Sequence, residues 1–338
     1  MTRYVYISLS GDKKISLFTM NPATGKLSHN EDTNLDGGPV AMAVNPSKPA
    51  LYAALESNEV VSLRIDAASG SLSNAGSVSL KECPAMISTD RSGNFLMCAY
   101  YGAGAVSVNQ INEDGIAGDP QIQWEETTNR AHYIESDAAN KFVLVPHVVP
   151  GNAIYRFELD ESSGRLTLIE PHVTPPDGEG PRHFCFHPNQ RFIYTANEDS
   201  STVTAYEFNN SNCELTLLQN VSTLPPEGYT PGEETNSCAQ IRITPNGKFL
   251  YAPNRGHNTA ACFRVGDNGG LSTIGYTPIE RHTRGTAIDP DGRYYYTTGT
   301  KSGRMASFTI SQQTGALEPL ENIDVGDTPM WIEIVDQE

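Results

Sequence analysis

The stretch Phe184-Cys185-Phe186-His187-Pro188-Asn189-Gln190-Arg191-Phe192-Ile193-Tyr194 consists of an apolar strand, a polar turn with a basic residue, and a second, aromatic-rich strand. The same pattern returns at 243–251 (Ile-Thr-Pro-Asn-Gly-Lys-Phe-Leu-Tyr) and at 288–296 (Ile-Asp-Pro-Asp-Gly-Arg-Tyr-Tyr-Tyr). Weaker copies centre on Leu51, Leu96 and Val143. A unit that recurs about every 40 to 50 residues indicates a β-propeller or a solenoid.

A second signature, a polar turn followed by an aliphatic residue, gives an independent count of the units. Such a turn is typical of a β-hairpin. The seven copies are Gly25/Leu27, Gly70/Leu72, Gly115/Ile116, Gly164/Leu166, Glu214/Leu215, Gly270/Leu271 and Gly315/Leu317. The sequence therefore predicts seven equal units, which a β-sandwich would not explain.

The two ends of the chain each supply half of a unit. Residues 329–334 match only the first strand of the repeat, and Tyr4 to Ser8 match only the second. A blade built from both ends leaves no open sheet edge. We therefore expect an all-β fold, a seven-bladed β-propeller closed by the N- and C-terminal strands in one blade, with residues 1–338 as a single domain. Sustained 3.6-residue apolar periodicity is lacking, so helices should be scarce.

Composition narrows the possible partners. The formal net charge is −17 over 338 residues, which disfavours nucleic acid and anionic membranes because both attract cationic surfaces. No apolar run reaches the roughly 18 residues of a membrane span, and the start of the chain lacks the features of a secretory signal. We expect a cytoplasmic protein with no nucleic-acid or membrane partner, a monomer or a weak homo-oligomer.

The six cysteines, Cys83, Cys98, Cys185, Cys213, Cys238 and Cys262, are far apart, with no C-x-x-C pair and no zinc-site histidine spacing. Reduced thiols, no metal and no cofactor are the expectation.

Aligning the units on Phe192 predicts which residues meet at one rim of the ring, because the first strand starts where the second strand ends. The first strands start at Val40, Ala85, His132, Arg182, Ala239, Arg284 and, approximately, Met330; the second strands end at Ser10, Glu56, Tyr101, Val148, Glu198, Arg255 and Thr300.

The charged members of these two sets predict an anion site. Arg182, Arg255 and Arg284 would repel one another in a narrow funnel unless an anion lay between them. The alternative is that they pair with Glu198 and Glu56 and tie blades together.

Four histidines lie near these positions. His147 and His257 are close enough in sequence to reach the same rim, although each is also a reasonable loop residue. His183 should be structural because alternate strand residues point to opposite faces and Arg182 faces the axis. His187 should lie at the far rim.

Several of these residues form motifs of a known family. Gly180-Pro181-Arg182-His183-Phe184, His187-Pro188-Asn189, Asn197-Glu198, Arg284-Gly285, Asp289-Pro290 and 326–331 (Gly-Asp-Thr-Pro-Met-Trp) resemble the seven-bladed 6-phosphogluconolactonase family along essentially the whole chain. The chain is also similar to fungal 3-carboxy-cis,cis-muconate cyclases. The proposed site of those enzymes, carried across by motif, falls on His132, Arg182, Glu198 and Arg255. The apolar stretch 145–150 departs from the usual polar loop of the family.

The resemblance implies a hydrolase of carbohydrate metabolism, a lactonase that converts 6-phosphogluconolactone to 6-phosphogluconate in the pentose phosphate pathway. Ring opening needs an activated water and stabilisation of an oxyanion. Glu198 or His132 would act as the base, Arg182 and Arg255 would bind the carbonyl oxygen, and Arg284, with His147 and His257, would bind the rest of a small anionic lactone.

Three alternatives remain open from sequence alone. The same residue types suit a muconate-type cycloisomerase, and they also suit a lactonase for an unphosphorylated aldaric lactone. A non-catalytic propeller that displays its rim to a protein partner is the third alternative. It is disfavoured because Tyr101 is the one aromatic residue at the aligned rim, and protein-binding surfaces are enriched in aromatic anchors.

Overall fold

A computed structural model describes residues 2–118, 121–230 and 234–337, and every regular element in these ranges is a β-strand. Twenty-nine strands form seven antiparallel sheets, the blades of the propeller. The innermost strands of neighbouring blades pack against one another around the axis. The described ranges contain no helix that is long and apolar enough to cross a membrane.

The strands follow the chain from blade 7 through blades 1 to 6 and back to blade 7. The first three strands, β1 (Thr2–Leu9), β2 (Lys14–Met20) and β3 (Leu27–Asn34), belong to blade 7. Blade 1 comprises β4 (Pro39–Val44), β5 (Ala50–Leu55), β6 (Glu59–Ile65) and β7 (Leu72–Ser79). Blade 2 comprises β8 (Met86–Thr89), β9 (Phe95–Tyr100), β10 (Ala105–Gln110) and β11 (Gln123–Glu126). Blade 3 comprises β12 (Glu135–Ser136), β13 (Phe142–His147), β14 (Ala153–Leu159) and β15 (Leu166–Leu168).

The remaining blades have the same order from the axis outward. Blade 4 comprises β16 (Pro181–Phe186), β17 (Phe192–Asn197), β18 (Thr202–Asn209) and β19 (Glu214–Ser222). Blade 5 comprises β20 (Ser237–Cys238), β21 (Arg242–Ile243), β22 (Phe249–Arg255), β23 (Thr259–Val265) and β24 (Leu271–Pro278). Blade 6 comprises β25 (Thr283–Ile288), β26 (Tyr294–Gly299), β27 (Arg304–Ile310) and β28 (Leu317–Asp324). The last strand, β29 (Pro329–Gln337), is the innermost strand of blade 7.

Blade 7 closes the ring with strands from both ends of the chain. β29 pairs antiparallel with β1, with Val5 opposite Ile334 and Ser8 opposite Trp331. The predicted split blade is thereby confirmed. The hydrogen bonds between β29 and β1 join its two halves, so the inner edge of β1 is paired and both ends of the chain are held in one sheet.

The alignment of the repeat also holds in the structure. Leu51, Leu96, Val143, Ile193, Leu250 and Tyr295 are fully buried, and each lies opposite the equivalent residue of the inner strand of its blade. The polar turn that recurs in the repeat has a hydrogen-bonding role. In three turns the Oδ1 atom of Asp90, Asp137 or Asp289 accepts backbone N–H groups four and five residues later.

The aromatic residues of the second strands link neighbouring blades. Tyr6, Tyr52, Tyr194, Tyr251 and Tyr296 each donate a side-chain hydrogen bond to the carbonyl of a turn glycine in the next blade, at 2.7–3.1 Å. These hydroxyls are buried and paired, so their rings add apolar area without leaving an unsatisfied polar atom. The links hold the inner strands in fixed positions around the axis.

Candidate active site

The starts of the inner strands converge on one axial cavity of about 350 Å³. This volume lies within the range of small-molecule sites. Six of the seven predicted start positions line it, namely Val40, Ala85, His132, Arg182, Arg284 and Met330. The other lining residues are Cys83, Pro84, Tyr101, His183, Glu198, Gln240 and Trp331.

Local β-bulges bring several of these residues into the cavity. The pairing of β16 with β17 shifts between Pro181 and His183, so that Arg182 is an extra residue on its strand. Equivalent shifts occur in blades 1, 6 and 7, where the extra residues include Val40, Arg284 and Met330. A bulge bends the strand and changes the direction of the side chain, and here it does so at the same rim in four blades.

Glu198, just after the end of β17, forms ion pairs with two arginines from different blades. Its Oε2 lies 2.7 Å from Arg182 Nε, and its Oε1 lies 3.0 Å from Arg255 Nη2. Arg255 Nη2 also donates to the carbonyl of Cys238 at 2.9 Å. Burial opposes ionisation of Glu198, but the two guanidinium groups outweigh burial and lower its pKa. Glu198 is therefore a carboxylate at neutral pH.

The cavity retains excess positive charge in spite of Glu198. Arg284 has no ion pair with any carboxylate of the described residues, and its nearest polar contact joins Nη1 to the sulfur of Met330 at 3.9 Å. Burial and the charge of Arg255 lower the pKa of both Arg182 and Arg284, yet a guanidinium stays protonated in proteins. Arg182 and Arg284 line the cavity, whereas Arg255 is not a lining residue and joins the site through its ion pair with Glu198. The group as a whole carries three positive charges and one negative charge.

Two of the buried guanidinium groups also have donors without partners. Arg182 Nη1 and Arg255 Nε make no hydrogen bond within the described part of the chain. A buried donor without an acceptor costs free energy. The site therefore favours a ligand that brings negatively charged or strongly accepting oxygens.

His132 provides a neutral imidazole beside these charges. Burial, followed by the charges of Arg182 and Arg284, lowers the pKa of His132 well below its usual value. Its Nδ1 is buried without a hydrogen-bond partner among the described residues. The ring lies 5.6 Å from the ring of Tyr101 and 5.2 Å from the ring of His183, measured between centroids.

The prediction that His183 points to the opposite face from Arg182 was wrong. His183 lines the cavity together with Arg182, and its ring also contacts Tyr133 at a centroid distance of 4.5 Å. The prediction assumed strict alternation along β16, and the bulge at Arg182 breaks that alternation.

His147 and His257 do not line the cavity. His147 is fully buried; its Nδ1 lies 3.0 Å from the carbonyl of Val145 and its Nε2 lies 2.9 Å from the hydroxyl of Thr127. His257 lies 2.6 Å from the hydroxyl of Thr259 through Nδ1. Both imidazoles are held by the loops and strand ends around them, which removes the basis for a substrate-binding role.

The sequence alignment chose the wrong residue in blade 5. It placed Ala239 at the rim, but the cavity is lined by Gln240. The inner strand of this blade is interrupted between Cys238 and Arg242, so β20 and β21 pair separately with β22. The interruption shifts the lining position by one residue. The units were aligned on their second strands, so the alignment could not reveal a break in the first strand.

These features define a class of protein: a seven-bladed β-propeller with a positively charged axial site for a small anionic ligand. Residues 4–334 match the family model described as lactonase, 7-bladed β-propeller. The chain is 34% identical to a 6-phosphogluconolactonase of Pectobacterium carotovorum over 337 residues, 99% of each chain. The chain therefore belongs to the seven-bladed β-propeller lactonase family, a family of lactone-hydrolysing enzymes.

Solved structures support the fold. A putative 6-phosphogluconolactonase from Bacteroides uniformis superposes with a TM-score of 0.90 at 24% identity, covering 99% of both chains. A periplasmic gluconolactonase from Pseudomonas aeruginosa superposes with a TM-score of 0.89 at 22% identity over the full length of both chains. At these identities, both structures support the fold of the chain and not its substrate.

Proposed function

We propose that this enzyme hydrolyses 6-phosphogluconolactone to 6-phosphogluconate in the axial cavity. The observation that carries the proposal is the excess of positive charge, with Arg284 lacking a carboxylate partner. The full-length relative in Pectobacterium, named 6-phosphogluconolactonase, supports the same substrate. A phosphate monoester carries nearly two negative charges at neutral pH, which matches the excess of three guanidinium groups over one carboxylate.

In the proposed reaction His132 activates the attacking water. Both carboxylate oxygens of Glu198 are engaged in ion pairs with Arg182 and Arg255, whereas Nδ1 of His132 has no hydrogen-bond partner among the described residues. The imidazole of His132 is neutral and able to accept a proton. Water adds to the lactone carbonyl carbon, the ring C–O bond breaks, and the proton taken by His132 passes to the departing ring oxygen.

Arg182 and Arg255 stabilise the oxyanion that forms on the carbonyl oxygen. Their unpartnered Nη1 and Nε atoms are donors that need no rearrangement before they bind it. Glu198 keeps both guanidinium groups in place through its two ion pairs. Arg284 binds the phosphate through charge-assisted hydrogen bonds. The apolar wall of Val40, Pro84 and Ala85 contacts the carbon face of the sugar.

A comparison of three substrates tests the proposal. Initial rates are measured with 6-phosphogluconolactone, an unphosphorylated aldaric lactone and 3-carboxymuconate, each corrected for the reaction without enzyme. We expect the highest kcat/KM for 6-phosphogluconolactone. Preferred hydrolysis of the aldaric lactone would contradict the phosphate assignment, and cyclisation of the muconate would contradict hydrolysis itself.

A cytoplasmic location and a monomeric or weakly associating state are part of the same proposal. All six cysteines are unpaired, and burial raises the pKa of each thiol. Unpaired thiols are typical of a reducing compartment. Cell fractionation and light scattering test the location and the mass of the particle.

A further inference from the structure

Three glutamines bond to the blade that follows them in the chain, and they differ in how they use the amide group. Gln123 and Gln219 are bonded through both amide atoms to the backbone of Leu166 and Leu271, respectively, in the next blade. Gln240 is bonded to the next blade through its oxygen alone. Of the three, Gln240 is the one that lines the axial cavity.

The oxygen of Gln240 is fixed by three donors. Oε1 accepts from the backbone N–H of Thr286 at 2.8 Å, from the hydroxyl of Thr286 at 3.2 Å and from Nη2 of Arg242 at 3.3 Å. A backbone N–H and a guanidinium donate only, so the carbonyl oxygen must be the atom that faces them. The orientation of the amide is therefore determined by the surrounding chain.

The nitrogen of the same amide has no hydrogen bond to any described residue. The side chain is 1% exposed and borders the cavity beside Arg182 and Arg284. A neutral donor held in one orientation at a ligand cavity is suited to bind an acceptor oxygen, and its fixed position avoids the loss of side-chain freedom on binding.

We propose that Gln240 is a substrate-binding residue whose Nε2 donates a hydrogen bond to an oxygen of the bound sugar lactone. The proposal rests on the proposed function, because a sugar lactone presents carbonyl, ring and hydroxyl oxygens in that cavity. It adds a neutral, directional contact to the charge contacts of the arginines. The enzyme would therefore bind a ligand with an acceptor oxygen next to Gln240 Nε2 more tightly than a ligand that lacks this oxygen.

Gln240→Glu tests the proposal with little change of shape. The introduced carboxylate still accepts from Thr286 and gains an ion pair with Arg242, so a purely structural role predicts an unchanged or higher melting temperature and unchanged activity. The donor facing the cavity is replaced by a negative acceptor. We expect kcat/KM for 6-phosphogluconolactone to fall at least about 10²-fold at pH 7.5, as when one preorganised donor is lost.

The pH dependence gives a second readout. Protonation of the introduced carboxyl restores an O–H donor, so the ratio of variant to wild-type kcat/KM should rise as the pH falls. Gln219→Glu is the matched control, because it changes the same amide on an outer strand away from the cavity. It should lower the melting temperature, since Nε2 of Gln219 donates to Leu271, and leave kcat/KM unchanged.

Equal kcat/KM for Gln240→Glu and wild type at equal melting temperature would overturn the proposal. If Gln240→Glu does not fold, Gln240→Met removes the donor without adding charge and should raise KM roughly 2- to 10-fold, as for a lost hydrogen bond between neutral groups. Binding of 6-phosphogluconate by calorimetry separates this proposal from the proposed function. Wild type that binds it without lactone turnover overturns the function alone, and wild type that neither binds nor turns over overturns both.

Discussion

Glu198 sets the balance of charge in the cavity. One carboxylate holds Arg182 and Arg255, from β16 and the end of β22, at 2.7 and 3.0 Å. Sequence reasoning selected all three residues and left an ion pair between the arginines and Glu198 as an alternative to anion binding. The sequence left open whether the arginines bind an anion or tie blades together. In the structure the ion pairs with Glu198 link neighbouring blades, and the same arginines keep unpartnered N–H donors that a ligand can use. Glu56 takes no part, because its Oε1 accepts from Ser10.

Arg182→Lys separates charge from shape at this site. Lysine keeps the positive charge but lacks the planar fork of donors, so turnover should fall by about 10²- to 10³-fold with a small change in melting temperature. Arg156→Lys is the control. Arg156 donates to the carbonyl of Cys213 in the next blade, outside the cavity, so this change should lower the melting temperature and preserve kcat. Full activity of Arg182→Lys would reject the catalytic role.

The pH profile of hydrolysis tests the base. His132 must be neutral to accept a proton, and its pKa is lowered, so kcat/KM should be flat near neutrality and fall only as the pH drops well below the free value of about 6.5. Glucono-δ-lactone is the appropriate substrate, because it has no phosphate that titrates in the same range. His132→Asn should abolish most turnover. A His132→Asn variant with the wild-type rate would indicate that Glu198, and not His132, is the base.

The bulges at the starts of the inner strands determine which side chains reach the axis. The repeat in the sequence predicted the rim, and six of the seven predicted starts of the inner strands line the cavity. It did not predict the bulges, because an extra residue on one strand is defined by its pairing with another strand. His183 and Gln240 were missed for this reason: each lies where the pairing of its inner strand is interrupted.

Glu179 holds the loop that enters β16, and its removal should disturb the bulge. Its buried carboxylate accepts from Asn197 at 3.2 Å, from Thr204 at 2.9 Å and from Asn220 at 2.6 Å. Glu179→Ala removes the carboxylate acceptor of the Thr204 hydroxyl and one acceptor of each of the two amides, so the free energy of unfolding should fall by roughly 1–3 kcal/mol. Because Arg182 lies three residues away, kcat should fall as well.

Glu179→Gln should recover both properties in part, because it retains one acceptor oxygen. Chemical denaturation and initial rates measure the two effects. A Glu179→Ala protein with wild-type stability and kcat would show that the loop is positioned by its backbone contacts, such as that between Glu198 N and the carbonyl of Gly180 at 2.7 Å.

At the scale of the whole molecule, the sequence predicted seven units and the shared seventh blade because both depend on a repeated local pattern. The links between blades were harder to foresee. The tyrosine hydroxyls reach glycine carbonyls that lie as far as 271 residues away in the chain. Only the closed ring brings these atoms together. The aromatic-rich strands therefore predicted that the tyrosine rings are buried, but not which carbonyls accept hydrogen bonds from their hydroxyls.

Acid should destabilise the ring through its buried histidines. Burial lowers the pKa of His147 to about 4 and the pKa of His132 and His183 well below the usual value. The unfolded chain binds these protons near pH 6.5, so stability is fully present above that pH and is lost as the pH falls. Between pH 6.5 and 5, His147 should contribute a loss of about 1.5 kcal/mol, and His132 and His183 should add to the loss in the same direction. Denaturant unfolding of wild type and His147→Gln checks the slope, which should be shallower in the variant; equal slopes would contradict it.

The most direct test of the central claim is the ratio of kcat/KM for 6-phosphogluconolactone to that for glucono-δ-lactone, measured in wild type and in Arg284→Met. A charge-assisted contact to phosphate predicts a wild-type ratio of about 10 to 10². In the variant the ratio should collapse toward one, because only the phosphorylated substrate loses a contact. A wild-type ratio near one, or equal losses on both substrates, would contradict the claim that this arginine-rich cavity hydrolyses a phosphorylated sugar lactone.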